Sequence, residues 1–260
     1  MKTIFKLILG LCLIPGSLTF AQSTRAITSG IIEYEKTANM YTLMRKKIPK
    51  DNIYVYNQNK PHYDNYLKNE PQYLKLYSSL IFGNNTSLFT PKPLAKPIFD
   101  YYNQPLVDQA NIVFNNFTKS QSTIQKEYFE RTFSVRDTLR RIKWKITDET
   151  REIAGYVCRR ANGLLLDSVY AVAFYTDKIH VSGGPESFNG LPGMILGIAL
   201  PHDNITWYAT KVTEAPADVK KLVPPKKGTP IDNKGLLIEL MKRYKDKGEI
   251  GRSFMKGYVL

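Results

Sequence analysis

The chain is most tightly constrained by short alternating segments between residues 128 and 212. They read "YFERTFSV" (128–135), "RRIKWKIT" (140–147), "REIAGYVCRRA" (151–161), "SVYAVAFYT" (168–176), "GMILGIAL" (193–200) and "ITWYATKV" (205–212). In the second, Ile142, Trp144 and Ile146 fall on one side, and Arg141, Lys143 and Lys145 on the other. A period of two is the geometry of a strand. In the first, Phe129, Phe133 and Val135 likewise share a side. Intervals this short join neighbouring strands as antiparallel hairpins.

Upstream, "SGIIEYEK" (29–36), "NIYVYN" (52–57) and "YLKLYSSLIFG" (73–83) read as further strands, rich in β-branched and aromatic residues. "TANMYTLMRKKI" (37–48) spaces Met40, Leu43, Met44 and Ile48 for a short helix. Residues 84–105 carry Pro91, Pro93, Pro97 and Pro105 without periodicity and read as loop or extended edge. The expected fold is mainly β, a large curved antiparallel sheet over residues 28–212. Half-barrel, barrel and sandwich all remain open. After a connector rich in proline and lysine (214–230), a C-terminal helix is expected. Thr229 would cap it, Pro230 would take its first position, and Leu236, Leu237, Leu240, Met241 and Tyr244 would form its apolar stripe.

The first residues, "MKTIFKLILGLCLIPGSLTFAQS", combine a basic start, an apolar stretch and small residues before Ala21. That is the pattern of a secretory signal, cleaved after Ala21. The organisation expected is therefore a signal over 1–21, a β domain over 22–213, and a connector with a helical tail over 214–260. No later apolar run reaches the ~18 residues of a membrane-spanning helix. Cleavage would remove Lys2 and Lys6, lowering the formal charge from +14 to +12, and would remove Cys12. Cys158 is then without a partner in the chain, so no disulfide framework is expected. An exported protein meets little nucleic acid, so anionic lipid or an acidic protein suits the basic balance better.

"WKITDETREIAGYVCRRA" and "VYAVAFYTDKIHVSGGPESFNGLPGMILGIAL" resemble the GLPGLI family of exported bacterial envelope proteins, whose name-giving motif is occupied here by Gly190 to Ile195. Trp144, Gly155-Tyr156 with Cys158, Phe174-Tyr175-Thr176 and Gly184-Pro185 belong to the same pattern. Met194 stands where Leu is usual, Phe174 where Trp is common, and His180 where Pro is expected. The resemblance implies a non-enzymatic envelope protein working beside outer-membrane transport or assembly machinery, with an envelope protein as partner and no cofactor.

Read physically, Leu191-Pro192-Gly193-Met194 suits a type II turn with positive φ at Gly193. The apolar run that follows is expected to be covered on both faces. The candidate contact surfaces are the glycine-proline loop, with Gly184, Pro185, Asn189, Gly190, Leu191, Pro192 and Gly193, and the basic face Arg141, Lys143 and Lys145. Tyr and Phe on a curved sheet also suit a carrier or chaperone for a lipid or other apolar ligand. A hydrolase or metal site would require His180, His202 and Asp203 to converge, which no spacing demands. Cys158 alternates with Tyr156 and reads as a small buried residue rather than a nucleophile.

Overall fold

The computed structural model describes residues 26–48, 52–94, 104–108, 110–166, 168–216, 218 and 220–260. The expected export signal lies outside them. The strands are β1 (Gly30–Asn39), β2 (Tyr73–Gly83), β3 (Thr86–Pro91), β4 (Ile112–Asn116), β5 (Gln121–Tyr128) and β6 (Arg131–Thr138). There follow β7 (Lys143–Ile153), β8 (Tyr156–Leu165), β9 (Val169–Thr176), β10 (Met194–Leu200), β11 (Ile205–Glu214) and β12 (Thr229–Ile231). The helices are α1 (Met40–Arg45), α2 (Ile53–Asn69), α3 (Pro105–Asp108), α4 (Asn233–Tyr244) and α5 (Gly248–Val259).

Among the described residues, twelve strands form one sheet in the order β12-β6-β5-β4-β3-β2-β1-β11-β10-β9-β8-β7. The sheet is open rather than closed into a barrel, because β12 and β7 stand at opposite ends of that order. It is also mixed: β12 runs parallel to β6, while the other pairings are antiparallel.

Along β1 the inward positions are Ile32, Tyr34, Lys36 and Ala38, all buried. Ile32 and Tyr34 join an apolar cluster that runs through Leu80, Phe82, Phe89, Val113 and Val135 to Leu236, Leu240 and Tyr244 on α4. Ala38 joins a second cluster with Met40, Met44, Ile198, Trp207, Phe188 and Leu191. Val172 and Phe174 of β9 lie in the first, and Ala171, Ala173 and Tyr175 in the second, so β9 is apolar on both faces. β10 is nearly all buried, as its unbroken apolar run requires.

Several expected boundaries change. "NIYVYN" opens helix α2 instead of forming a strand. The Asn52 side chain accepts from Val55 N at 3.1 Å and caps the helix. β-propensity describes fit to a half-buried pleated surface, and these residues have no strand to pair with. "REIAGYVCRRA" is a hairpin between β7 and β8, turned at Ala154 and Gly155, both with positive φ. Residues 129–130 turn β5 into β6, so Phe129 is exposed and does not share a face with Phe133 and Val135. Part of the proline-rich stretch is strand β3, joined to β2 through Asn84 and Asn85, both left-handed. Residues 95–103, with Pro97, lie outside the described residues. In the tail, Thr229 and Pro230 belong to β12, and Asp232 is the cap of α4, its side chain accepting from Gly235 N at 2.7 Å.

Candidate functional site

Residues 181–193, between β9 and β10, are buried at nearly every position, with Gly190 and Pro192 exposed. Ser182 pins the segment into a loop: its Oγ donates to Leu191 O at 2.7 Å and accepts from Gly190 N at 3.2 Å. Gly193 N donates to Leu191 O at 2.8 Å. The turn is therefore a γ-turn centred on Pro192, tighter than the type II turn expected from the sequence. Gly193 has φ +143, and a Cβ there would fall on the Thr176 carbonyl oxygen. Glycine is required because β9 passes too close for a side chain. Trp144 donates from Nε1 to Asn189 O at 2.9 Å, and Tyr34 from Oη to Ile195 O at 2.6 Å.

The loop thus carries Glu186 into the protein at the border of the two apolar clusters. Glu186 holds φ +50, a conformation that non-glycine residues adopt only when their surroundings impose it. Lys36, on β1 between Tyr34 and Ala38, lies 3.3 Å from Glu186 Oε1 and stacks over the Trp207 ring at 4.6 Å. Asn111 donates to Glu186 Oε2 at 3.0 Å and accepts from Lys126 Nζ at 3.2 Å. Lys36 is 6 % exposed, Glu186 8 % and Lys126 2 %. Burial pulls the Lys126 ammonium down to about 7. Glu186 opposes that shift, while Arg140 and Lys36 reinforce it. On the other side of the loop, Arg140 donates from Nε to Ser187 Oγ at 3.0 Å and from Nη2 to Val259 O at 2.6 Å. The end of α5 is tied to the loop by the same contacts.

Beside this network lies an open cleft of about 310 Å³, bounded by β1, β2, β3, β11 and α3. Leu76, Phe89, Val107 and Ile112 supply apolar wall, and Lys36, Ser78, Asp108, Glu186 and Trp207 supply polar groups. Burial raises the Asp108 carboxyl to about 6, against the pull of two backbone hydrogen bonds and then of Lys36 and Lys47. Trp207 Nε1 and Ser78 Oγ are buried without a hydrogen-bond partner among the described residues. Such orphaned groups cost about 1–3 kcal/mol each and need a partner. A largely apolar cleft lined by a few polar residues has the build of a ligand site.

The residues singled out from the sequence are dispersed around this cleft. Gly184, Pro185, Asn189, Leu191 and Gly193 hold the loop from beneath the surface, and Gly190 and Pro192 crest it. Arg141, Lys143 and Lys145 are exposed on and just before β7, the end strand. β7 begins at Lys143, and Ile146 on its other face is 39 % exposed. His180 and His202 flank opposite ends of β10, roughly 20 Å apart along the strand. Asp203 is bonded to Lys256. Among the described residues no three His, Cys, Asp or Glu side chains gather as metal ligands. Sequence reasoning missed Lys36, Ser78, Asp108, Glu186 and Trp207. Lys36 was readable, since it shares its strand face with Ile32 and Tyr34.

Comparison with known proteins begins at this loop. Residues 165–197 match the family described as Protein of unknown function (Porph_ging). The match spans β9, the buried loop and the start of β10. No curated protein matches the chain. Two solved structures of PNGF-II, in space groups P21 and C2, are similar to it. Identities are 17 % and 16 %, TM-scores 0.51 and 0.50, with 82 % and 78 % of this chain covered. At that identity the likeness shows the fold. The covered part is 33 % and 31 % of the PNGF-II chains, so this chain spans about a third of their length.

Proposed function

We propose that the protein is an exported, non-enzymatic envelope protein of the GLPGLI type that carries a small amphiphilic ligand in the cleft beside Glu186. The observation that carries this reading is the largely apolar cleft, lined by Trp207 and Ser78, whose Nε1 and Oγ are buried without a partner among the described residues. They suit a ligand with an apolar body and one hydrogen-bonding end. The ion pair Lys36–Glu186 beside them supplies orientation. Glu186 is held by Lys36 and Asn111, an arrangement that fixes a carboxylate in place rather than freeing it to move protons.

The test is native mass spectrometry of the protein purified from an exporting cell, with titration of a fluorescent long-chain fatty acid. A co-purifying small molecule or saturable probe binding is expected, weakened by Trp207→Phe and Ser78→Ala. A bare protein that ignores the probe would sink the proposal. N-terminal sequencing of the exported form should begin at Gln22.

A second reading, docking to an envelope protein of outer-membrane transport or assembly machinery, is favoured by the free edge of β7. Exposed Lys143 and Lys145 lie there, and Val157 on neighbouring β8 is 67 % exposed. Unpaired sheet edges are templates for a partner strand. Arg141 and the crest residues Gly190 and Pro192 would flank it. Lys143→Glu with Lys145→Glu should abolish in-cell cross-linking to such a partner. An unchanged cross-link would remove this reading.

A further inference from the structure

We infer that a second site, on the far side of the loop from the cleft, binds a small tetrahedral oxyanion of the phosphate or sulfate class. A pocket of about 200 Å³ opens there between β4, β5, β6, Arg140 and the start of α4. It is large enough for one such ion with a little water, and below the usual size of sites for organic ligands.

The first argument is charge. Lys36 and Lys126 are buried and Arg140 half-buried, and Glu186 is the carboxylate that acts on both Lys126 and Arg140. Burial also pulls the Arg140 guanidinium downward, with Glu186 opposing. Asp108 faces Lys36 from the cleft side. A guanidinium keeps its proton, so Arg140 favours a further acceptor of opposite charge beside it.

The second argument is unused donors. Arg140 spends Nε and Nη2 on Ser187, Val259 and Leu260, and Nη1 has no partner among the described residues. Ser122, 8 % exposed, lines the pocket with its Oγ unpartnered among the described residues. The buried Asn115 side chain lines it too and makes no hydrogen bond among them. Arg141 stands exposed at the rim. Asp137 also lines the pocket, but its carboxylate already accepts from Thr138 N at 2.7 Å and Asn233 N at 3.1 Å. Asp137 is the cross-strand neighbour of Ser122, and Arg140, Arg141 and Asn115 line the same pocket as donors. Three donor types around one pocket, with a half-buried guanidinium among them, are how proteins hold phosphate and sulfate.

The experiment is calorimetry and thermal melting of the full chain with inorganic phosphate and with sulfate, against chloride at matched ionic strength. Saturable binding of one ion per chain is expected, with a rise in melting temperature. Ser122→Ala, Asn115→Leu and Arg141→Gln should each weaken it about tenfold, the worth of a hydrogen bond to a charged group. Trp207→Phe should leave it intact, which separates this site from the cleft. Glycerol phosphate binding more tightly than phosphate would identify the ion as part of a larger molecule. Equal or weaker binding would identify free anion. No saturable effect on the unmodified chain, or an equal effect of chloride, overturns the inference whatever the variants do. So does undiminished binding in all three variants when near-ultraviolet circular dichroism shows them folded.

Discussion

Replacing Glu186 with Gln tests the buried network most directly. The carboxylate accepts from Lys36 on one oxygen and from Asn111 on the other, while Asn111 turns its own oxygen to Lys126. An amide accepts through one atom only. In Glu186→Gln, either Lys36 faces an NH2 group, or Asn111 must flip and abandon Lys126. Lys36 is then an uncompensated buried charge. Removing one partner of a buried ion pair costs about 3–5 kcal/mol. For a chain of this size, about 2–4 °C of melting temperature is lost per kcal/mol, a fall of roughly 6–20 °C. Urea melts of Glu186→Gln, Lys36→Met and the double variant would measure it. The double variant should be more stable than the sum of the singles by over ~1 kcal/mol, because removing both charges leaves neither stranded. A loss under about 1 kcal/mol for Glu186→Gln, or strict additivity, would refute the coupling.

Three further expectations follow from the same packing. Burial holds Lys126 near 7 in the folded chain against 10.5 for a solvated lysine, so between those pH values this group holds more protons in the unfolded chain. Stability should rise with pH from about 7 to about 9, the penalty being full below about 7; above about 9 the raised Cys158 thiol works in the opposite direction. Lys126→Met should flatten the rise to the smaller part contributed by Lys47, lowered by burial to about 8. An unchanged slope in urea midpoints would remove Lys126 from the account. Gly193→Ala should cost at least about 2 kcal/mol and exceed Gly155→Ala, which also has positive φ but opens on empty space. Equal losses in paired urea melts would show that φ alone matters. Cys158 is buried, and burial pushes its thiol up to about 12. A thiol reagent should label it only as fast as the protein unfolds, and rapid labelling of the folded chain would contradict that environment.

The strands from 169 to 214 and β2 were legible in the sequence because strand periodicity and apolar runs are local signals. The turn Asn84-Asn85 carried a hairpin signal as well, masked by the prolines around it. β4 and β5 gave no clear alternation, and the reason lies in the site itself. Their inward positions include Asn115, Ser122 and Lys126, polar residues where the pattern demands apolar ones. Polar residues at inward positions break the alternation, so the periodicity faded along these two strands.

The glycine-proline segment illustrates the other limit. Its composition by itself determined a tight turn that leads into a strand covered on both faces, and the structure contains both. Its burial, and the delivery of Glu186 to Lys36 from 150 residues away, were settled by the tertiary fold alone. Periodicity records which side of its own strand a residue faces. Which distant group waits on that side depends on the order of the strands and on what crosses them, and no local spacing encodes that order.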